Sequence, residues 1–121
     1  MDIETQSIGQ ILHYMNDENR TVTDAIERCI PSIEKVTAAV VQAFEKGGRL
    51  IYLGAGTSGR LGVLDASEYP PTFGVSPNLV VGVIAGGDYD LRHAIEGAED
   101  DETIAQEQLQ ELGLVKEDVV V

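Results

Sequence analysis

The segment Arg49-Leu-Ile-Tyr-Leu-Gly-Ala-Gly-Thr-Ser-Gly-Arg60 constrains this chain more than any other. Leu50 to Leu53 is a short, unalternating apolar run, the pattern of a strand buried on both faces. It runs directly into Gly54, Gly56 and Gly59, with Thr57 and Ser58 between them. Glycines let the backbone approach a ligand closely. The free N–H groups of a first helical turn and the helix dipole both favour negative charge. Strand, glycine loop and helix start together predict an anion site, and a phosphate suits it best. Gly56, Thr57, Ser58 and Gly59 are the predicted phosphate-binding residues. Thr57 and Ser58 can each donate from a side chain and from an amide to a compact tetrahedral anion. Arg60 can add a charge-assisted contact, or stand as a solvated helix charge.

The same segment satisfies GxGxxG, so a dinucleotide loop has to be weighed, as does a purely structural tight turn. The dinucleotide fingerprint wants an acidic residue about 20 positions on, at the end of the second strand. Here that strand ends near Ala85, and the next acid is Asp88. Pro70-Pro71 also interrupts the crossover. The two adjacent hydroxyls favour a phosphate monoester over a nicotinamide cofactor.

Upstream of Arg49 the periodicity is helical. Ser7-Ile-Gly-Gln10 has the form of a capping box, and Ile8, Ile11, Leu12 and Met15 follow at helical spacing. Asn16 to Asn19 reads as a polar break. Thr21 then caps a second helix carrying Val22, Ile26 and Cys29, and Pro31 ends it and opens a third. Ile33, Val36, Val40 and Phe44 form the last stripe, stopped by Gly47-Gly48. Downstream, a helix is predicted from Gly59 to about Ser67, with Pro70-Pro71 forbidding its continuation. Leu79 to Ala85 is a second buried strand. Asp90 can cap a helix bearing Leu91, Ala94, Ile95 and Ala98. Ile104 to Leu112 is helical with Gly113 as C-cap, and Asp118 to Val121 opens a third strand. The expected organisation is a helical segment over 1–48 and the first part of a parallel α/β domain over 49–121. Two and a half strands are few for a sheet covered on both faces. We therefore expect a piece of a longer protein, or a second chain that completes the sheet.

With 121 residues the chain has the size of one ordinary domain. Eight basic against 21 acidic residues give a net charge of −13, which argues against nucleic acid or an anionic membrane as partner. A phosphate must therefore be held by a local pocket, because the global field repels it. No apolar run is long enough to span a bilayer, and the N-terminus has no secretory signal. The single cysteine, Cys29, excludes an intrachain disulfide and fits a reducing, cytoplasmic setting; a buried packing role is expected for it. His93 and Glu96 do not make a metal site on their own, and no metal or other cofactor is expected.

Four blocks carry a family resemblance: Gly54-Ala-Gly-Thr-Ser-Gly-Arg-Leu-Gly62, Leu64-Asp-Ala-Ser-Glu-Tyr-Pro-Pro-Thr-Phe-Gly74, Ile84-Ala-Gly-Gly87 and Glu96-Gly-Ala-Glu-Asp100. Together they closely resemble the N-acetylmuramic acid 6-phosphate etherases, and are similar to the glucokinase regulatory protein. The resemblance implies a three-layer α/β/α sugar-isomerase (SIS) fold, Rossmann-like, with a parallel sheet preceded by N-terminal helices. There are two departures. Tyr69 stands where the family usually has Cys, and family members are two to three times longer, with a second glycine-serine loop after the position of Val121.

The resemblance also implies the chemistry. Such enzymes cleave the lactyl ether of N-acetylmuramic acid 6-phosphate to N-acetylglucosamine 6-phosphate and D-lactate, by elimination and hydration, in recycling of cell-wall amino sugars. Glu68 matches the proton donor and Glu99 the second catalytic glutamate, read as the base. Independently, the predicted helix end at Glu68 disfavours an ionised carboxylate, which suits an acid. On spacing alone, Glu68 is an ordinary exposed residue before a Pro-Pro stop, and Glu99 belongs to the solvated run Glu99-Asp-Asp-Glu102. A homodimer with a sugar-phosphate ligand is the expected assembly. The rival is a non-catalytic sugar-phosphate sensor on the same fold, or an inactive fragment.

Overall fold

The computed structural model describes residues 3–89, 91–93 and 102–121. Contacts divide the chain into two compact units, Met1–Thr37 and Ala38–Val121. A short 3-10 turn, Ile3–Thr5, precedes helix α1, Ile8–Glu45, which spans the division. The capping box at its start forms as predicted. The Ser7 N–H donates to Gln10 Oε1 at 2.9 Å, and the Gln10 N–H donates to Ser7 Oγ at 3.3 Å.

One continuous helix replaces the three predicted over residues 8–45. Asn16 to Asn19 is not a break: all four residues are helical and exposed, so water solvates their side chains without drawing them onto the backbone. Thr21 is not a cap. Its hydroxyl turns back to the Glu18 carbonyl at 2.8 Å, the usual recourse of a mid-helix threonine. Pro31 lies inside the helix and deprives the Glu27 carbonyl of its donor, at an exposed position where water can take over. The predicted stop is where the sequence puts it. Gly47 adopts φ 79°, and the Gly48 N–H donates to the Ala43 carbonyl at 2.8 Å.

The second unit is built on three parallel strands in the order β2-β1-β3: β1 Leu50–Gly54, β2 Val80–Ile84 and β3 Val119–Val120. Leu50 pairs with Val80 and Gly54 with Ile84 on one side of β1; Leu50 pairs with Val119 and Ile51 with Val120 on the other. The parallel α/β architecture predicted from the apolar runs is the one observed. Helix α2, Gly56–Phe73, is the crossover from β1 to β2. Its sheet-facing stripe is made of small residues, with Gly59 and Ala66 buried. Leu50, Ala66 and Val80 form the core, joined by Val40 and Phe44 from the end of α1 and by Tyr69 from α2. Ile51, on the other side of the pleat from Leu50, is fully buried at 0% exposure. Helix α3, Glu102–Glu111, ends at Gly113, which takes φ 63° as a C-cap.

Two boundaries of α2 differ from expectation. It begins at Gly56 instead of Gly59, so Thr57 and Ser58 belong to its first turn. It also runs through Pro70 and Pro71 to Phe73, closing with the Gly74 N–H on the Pro70 carbonyl at 2.9 Å. Two prolines remove only the N–H groups facing the preceding turn, and the tilted Tyr69–Phe73 ring pair at 5.3 Å adds packing across them. Glu68 is therefore not at a helix end. The dipole argument for its protonation lapses, because the effect fades within the last turn.

Strand β3 is held to β1 by its short hydrogen-bonded ladder and by an ion pair at its start. Arg49 Nη2 meets Asp118 Oδ2 at 2.6 Å and Arg49 Nε meets Oδ1 at 3.1 Å, a bidentate geometry. Asp118 also accepts from the Arg49 and Val115 N–H groups, and its side chain is 1% exposed. The spare Nη donors of Arg49 reach the Leu112 and Gly113 carbonyls at the end of α3. The hydrogen bonds from Arg49 hold the Asp118 carboxyl at about 2, below its ordinary value.

Two predictions follow from this packing. A folded-state value depressed to about 2 means that Asp118 stabilises the fold above its ordinary titration near pH 4, and that this contribution is lost as pH falls through about 2. Unfolding free energies from urea titrations of the wild type and of Asp118→Asn should therefore differ most near neutral pH, by about 3 kcal/mol, and converge toward pH 2. Equal free energies at pH 7 would contradict this. The second concerns Gly59. A Cβ there would meet the Gly54 carbonyl oxygen at 2.5 Å and Ile84 Cγ1 at 2.7 Å. Helix propensity favours alanine by about 1 kcal/mol, whereas overpacking against backbone costs about 1–3 kcal/mol. Gly59→Ala should lower the urea midpoint, and a rise would show that the strand end yields.

Candidate functional site

The carboxyl end of β1 is where the chain concentrates its polar chemistry. Gly54 and Gly59 face each other across the strand-to-helix turn, so α2 starts directly over the strand end. Gly56 takes φ 52°, the left-handed conformation the turn requires. The residue before α2, Ala55, offers no side-chain cap. The first N–H groups of α2 are thus not taken by a capping oxygen, and the exposed hydroxyls of Thr57 and Ser58 stand beside them. The predicted phosphate residues Gly56, Thr57, Ser58, Gly59 and Arg60 are thereby brought into one turn. Arg60 is partly buried, and its Nε donates to the Leu91 carbonyl at 3.2 Å, tying the segment after β2 to this turn.

The strand order explains why a crevice opens here. The chain leaves β1 for β2 on one side and reaches β3 on the other. In an open parallel sheet this reversal marks the ligand crevice at the carboxyl ends of the strands. A groove of about 410 Å³ occupies that place, lined by Tyr52, Leu53 and Gly54 of β1, by Ser58, Leu61, Gly62 and Asp65 of α2, and by Val121. Its volume lies in the range of small-molecule sites.

Ser58, Leu61 and Asp65 share one face of α2, and Glu68 continues that face one turn on. Glu68 is exposed and lies about 15 Å along the axis from Ser58. A sugar held at Ser58 would have to lie along α2 for Glu68 to reach it. Glu99, the other predicted catalytic residue, lies outside the described residues, as do Glu96 and most of the helix predicted from Asp90. Among the described residues, no group of three or more His, Cys, Asp or Glu side chains could hold a metal ion. No helix among them is long and apolar enough to cross a membrane.

Two groove residues escaped the sequence reading. Tyr52 is half-buried and hydrogen-bonds to Asp65; burial first, and then that bond, raise the phenol above its ordinary value. Tyr69 joins the pair through a hydrogen bond to Tyr52, so the residue beside Glu68 is anchored to β1. The available signal was the spacing: Asp65 falls seven residues after Ser58, two turns along the same face.

The glucokinase regulatory protein N-terminal SIS domain family matches residues 32–121. Three curated relatives, each named N-acetylmuramic acid 6-phosphate etherase, are similar over the full 121 residues. They come from Glaesserella parasuis serovar 5 (strain SH0165), at 53% identity; from Brucella anthropi, at 54%; and from Bacillus thuringiensis subsp. konkukian, at 53%. The chain spans 40%, 39% and 41% of their respective lengths. With the parallel sheet, the glycine turn and a family match covering both, the chain belongs to the glucokinase regulatory protein N-terminal SIS domain family.

Proposed function

We propose that this chain is the phosphosugar-binding part of an N-acetylmuramic acid 6-phosphate etherase. The observation that carries the reading is the uncapped, hydroxyl-bearing first turn of α2, opening into a groove whose far end carries the Asp65 carboxylate. Relatives that bear the etherase name and match the whole chain support the same substrate. The amides of Gly56 to Gly59 and the hydroxyls of Thr57 and Ser58 hold the phosphate, with Arg60 adding positive charge nearby.

The chemistry asks for two proton transfers. A base takes the C2 proton, made acidic by the open-chain aldehyde at C1. The C2–H electron pair forms the C2=C3 double bond, and the C3–O bond breaks with its pair going to the lactyl oxygen. An acid protonates that oxygen, and D-lactate leaves. Water then adds at C3 and a proton returns to C2, giving N-acetylglucosamine 6-phosphate. Glu68 is assigned as the acid and Glu99 as the base. Neither step calls for a metal or redox cofactor, because the aldehyde supplies the electron sink. The setting is cytoplasmic recycling of cell-wall amino sugars, and the working assembly is a homodimer. The family's name, that of a regulatory protein, favours one second reading: a sensor that binds the sugar phosphate without cleaving it.

The test is paired. Calorimetry with N-acetylmuramic acid 6-phosphate reads binding, and an enzymatic lactate assay reads cleavage. Thr57→Ala/Ser58→Ala should weaken binding about 10- to 100-fold, as expected for hydrogen bonds to a charged group. Glu68→Gln should leave binding within about threefold and cut lactate release by a factor of about 100 or more. Wild-type binding without lactate release would select the sensor or an inactive fragment. Unchanged binding in the double variant would remove the phosphate from this turn.

A further inference from the structure

Beyond its first turns, α2 is weakly secured by its own backbone. Its sheet-facing stripe of Gly59, Gly62 and Ala66 offers only small side chains to the strands. Pro70 and Pro71 leave the Ala66 and Ser67 carbonyls without their helical donors. The Ser67 hydroxyl turns back to the Leu64 carbonyl at 2.7 Å, the same carbonyl that the helical pattern gives to the Glu68 N–H. Glu68 is exposed in the middle of this stretch, so the tilt and roll of the helix decide where its carboxyl points. Tyr52 supplies the missing constraint. From β1 its ring lies over Gly62, where a Cβ would meet Tyr52 Cβ at 2.8 Å. Its hydroxyl then meets Asp65, one turn on, and Tyr69, a turn beyond that. A phenol has one proton to give. The Tyr52 O–H donates to the Asp65 carboxylate, and the Tyr52 oxygen accepts from the Tyr69 O–H. Tyr52 and Tyr69 both pack against the core of Leu50, Ala66 and Val80, and the Tyr69 ring leads on to Phe73.

We infer that Tyr52 is a positioning residue for the proton transfer at Glu68: its phenol ties α2 to β1 through Asp65 and Tyr69, on both sides of the glutamate, and so fixes the direction of that side chain. The inference rests on the reading of Glu68 as the acid. The lever arm sets the size of the effect. Helix α2 is pinned at the contact of Gly54 with Gly59, and Glu68 lies farther along the axis by about 13 Å. A tilt of about 5° about that pivot moves Glu68 by about 1 Å, and a misplacement of that size costs up to about 100-fold in rate. The phosphate contacts of Thr57 and Ser58 sit at the pivot and hardly move. Tyr52 therefore acts on turnover and not on affinity.

Two readouts on the full 121-residue chain test this. Amide hydrogen exchange needs no ligand. In Tyr52→Phe the Tyr69 and Phe73 amides should exchange about tenfold faster, while Leu61, in the first half of α2, changes by less than about threefold. Unchanged protection at Tyr69 and Phe73, or a loss as large at Leu61, overturns the clamp. Steady-state lactate release reads the positioning. Tyr52→Phe should lower kcat by about 10- to 100-fold and leave KM within about twofold. Asp65→Ala should lose as much. Asp65→Asn keeps an oxygen for the phenol and should lose less than about fivefold. The double variant Tyr52→Phe/Asp65→Ala should be no slower than either single one, because both break the same bond. Wild-type kcat in Tyr52→Phe, or losses that add in the double variant, overturns the positioning role and assigns Asp65 to the sugar itself. A wild-type chain that releases no lactate removes the reaction this role serves. That is a failure of the etherase reading, distinct from a failure of the clamp, which the exchange data decide.

Discussion

The close approach of Gly54 and Gly59 is the constraint on which the rest of the second unit depends. Neither position has room for a side chain: a Cβ on Gly54 would meet the Gly59 nitrogen at 2.8 Å, and one on Gly59 would meet the Gly54 carbonyl. Because both are glycine, α2 can start on top of the strand that feeds it. The Gly54 carbonyl stays available to the Ala85 N–H at 2.9 Å, which extends the β1–β2 ladder to its last residue. The same close packing recurs farther along α2, where a Cβ on Gly82 would meet the Val63 backbone and one on Gly62 would meet Tyr52. The position of the first helical turn, and so of Thr57 and Ser58, is thus decided by backbone sterics and not by any contact those side chains make.

A second device gives the sheet its order. β3 contributes only two residues to the ladder, too few to hold a strand by hydrogen bonds alone. The Arg49–Asp118 pair supplies the missing constraint. It locks the residue before β1 to the residue before β3 and, through the Leu112 and Gly113 carbonyls, to the end of α3. With β3 fixed beside β1 and β2 on the other side, the chain reverses direction across the sheet, and the crevice follows from that reversal.

The strands were legible because each is a short apolar run bounded by glycine, asparagine or aspartate, and strands buried on both faces carry that pattern in the residues themselves. The glycine turn was legible for the same reason: its residue types are dictated by geometry. Helix boundaries were harder to read. Asn16 to Asn19, Pro31 and Pro70-Pro71 are poor helix residues on propensity, which predicts breaks at all three. Propensity differences among ordinary residues stay below about 1 kcal/mol, and an exposed helix surface lets water satisfy the carbonyls that proline leaves open. The strand order and the Tyr52–Asp65–Tyr69 cluster were not readable, because both depend on which element lies beside which. The placement of Glu68 relative to Ser58 depended on a helix boundary that sequence alone put in the wrong place.

The groove's polarity runs in one direction along α2. At its start stand uncapped amides and the Ser58 hydroxyl, with Thr57 beside it; two turns on comes the Asp65 carboxylate held by Tyr52, and Glu68 lies one turn beyond the groove. A dianion is favoured at the first end by the helix dipole and disfavoured at the second by like charge. A ligand that carries charge only at one terminus and neutral hydroxyls toward the other fits this gradient in a single orientation. For a chain with 21 acidic residues that orientation cannot come from the protein's overall field, which repels every anion alike. It has to come from the few ångströms around the start of α2, where the first amide N–H groups present the positive end of the helix dipole.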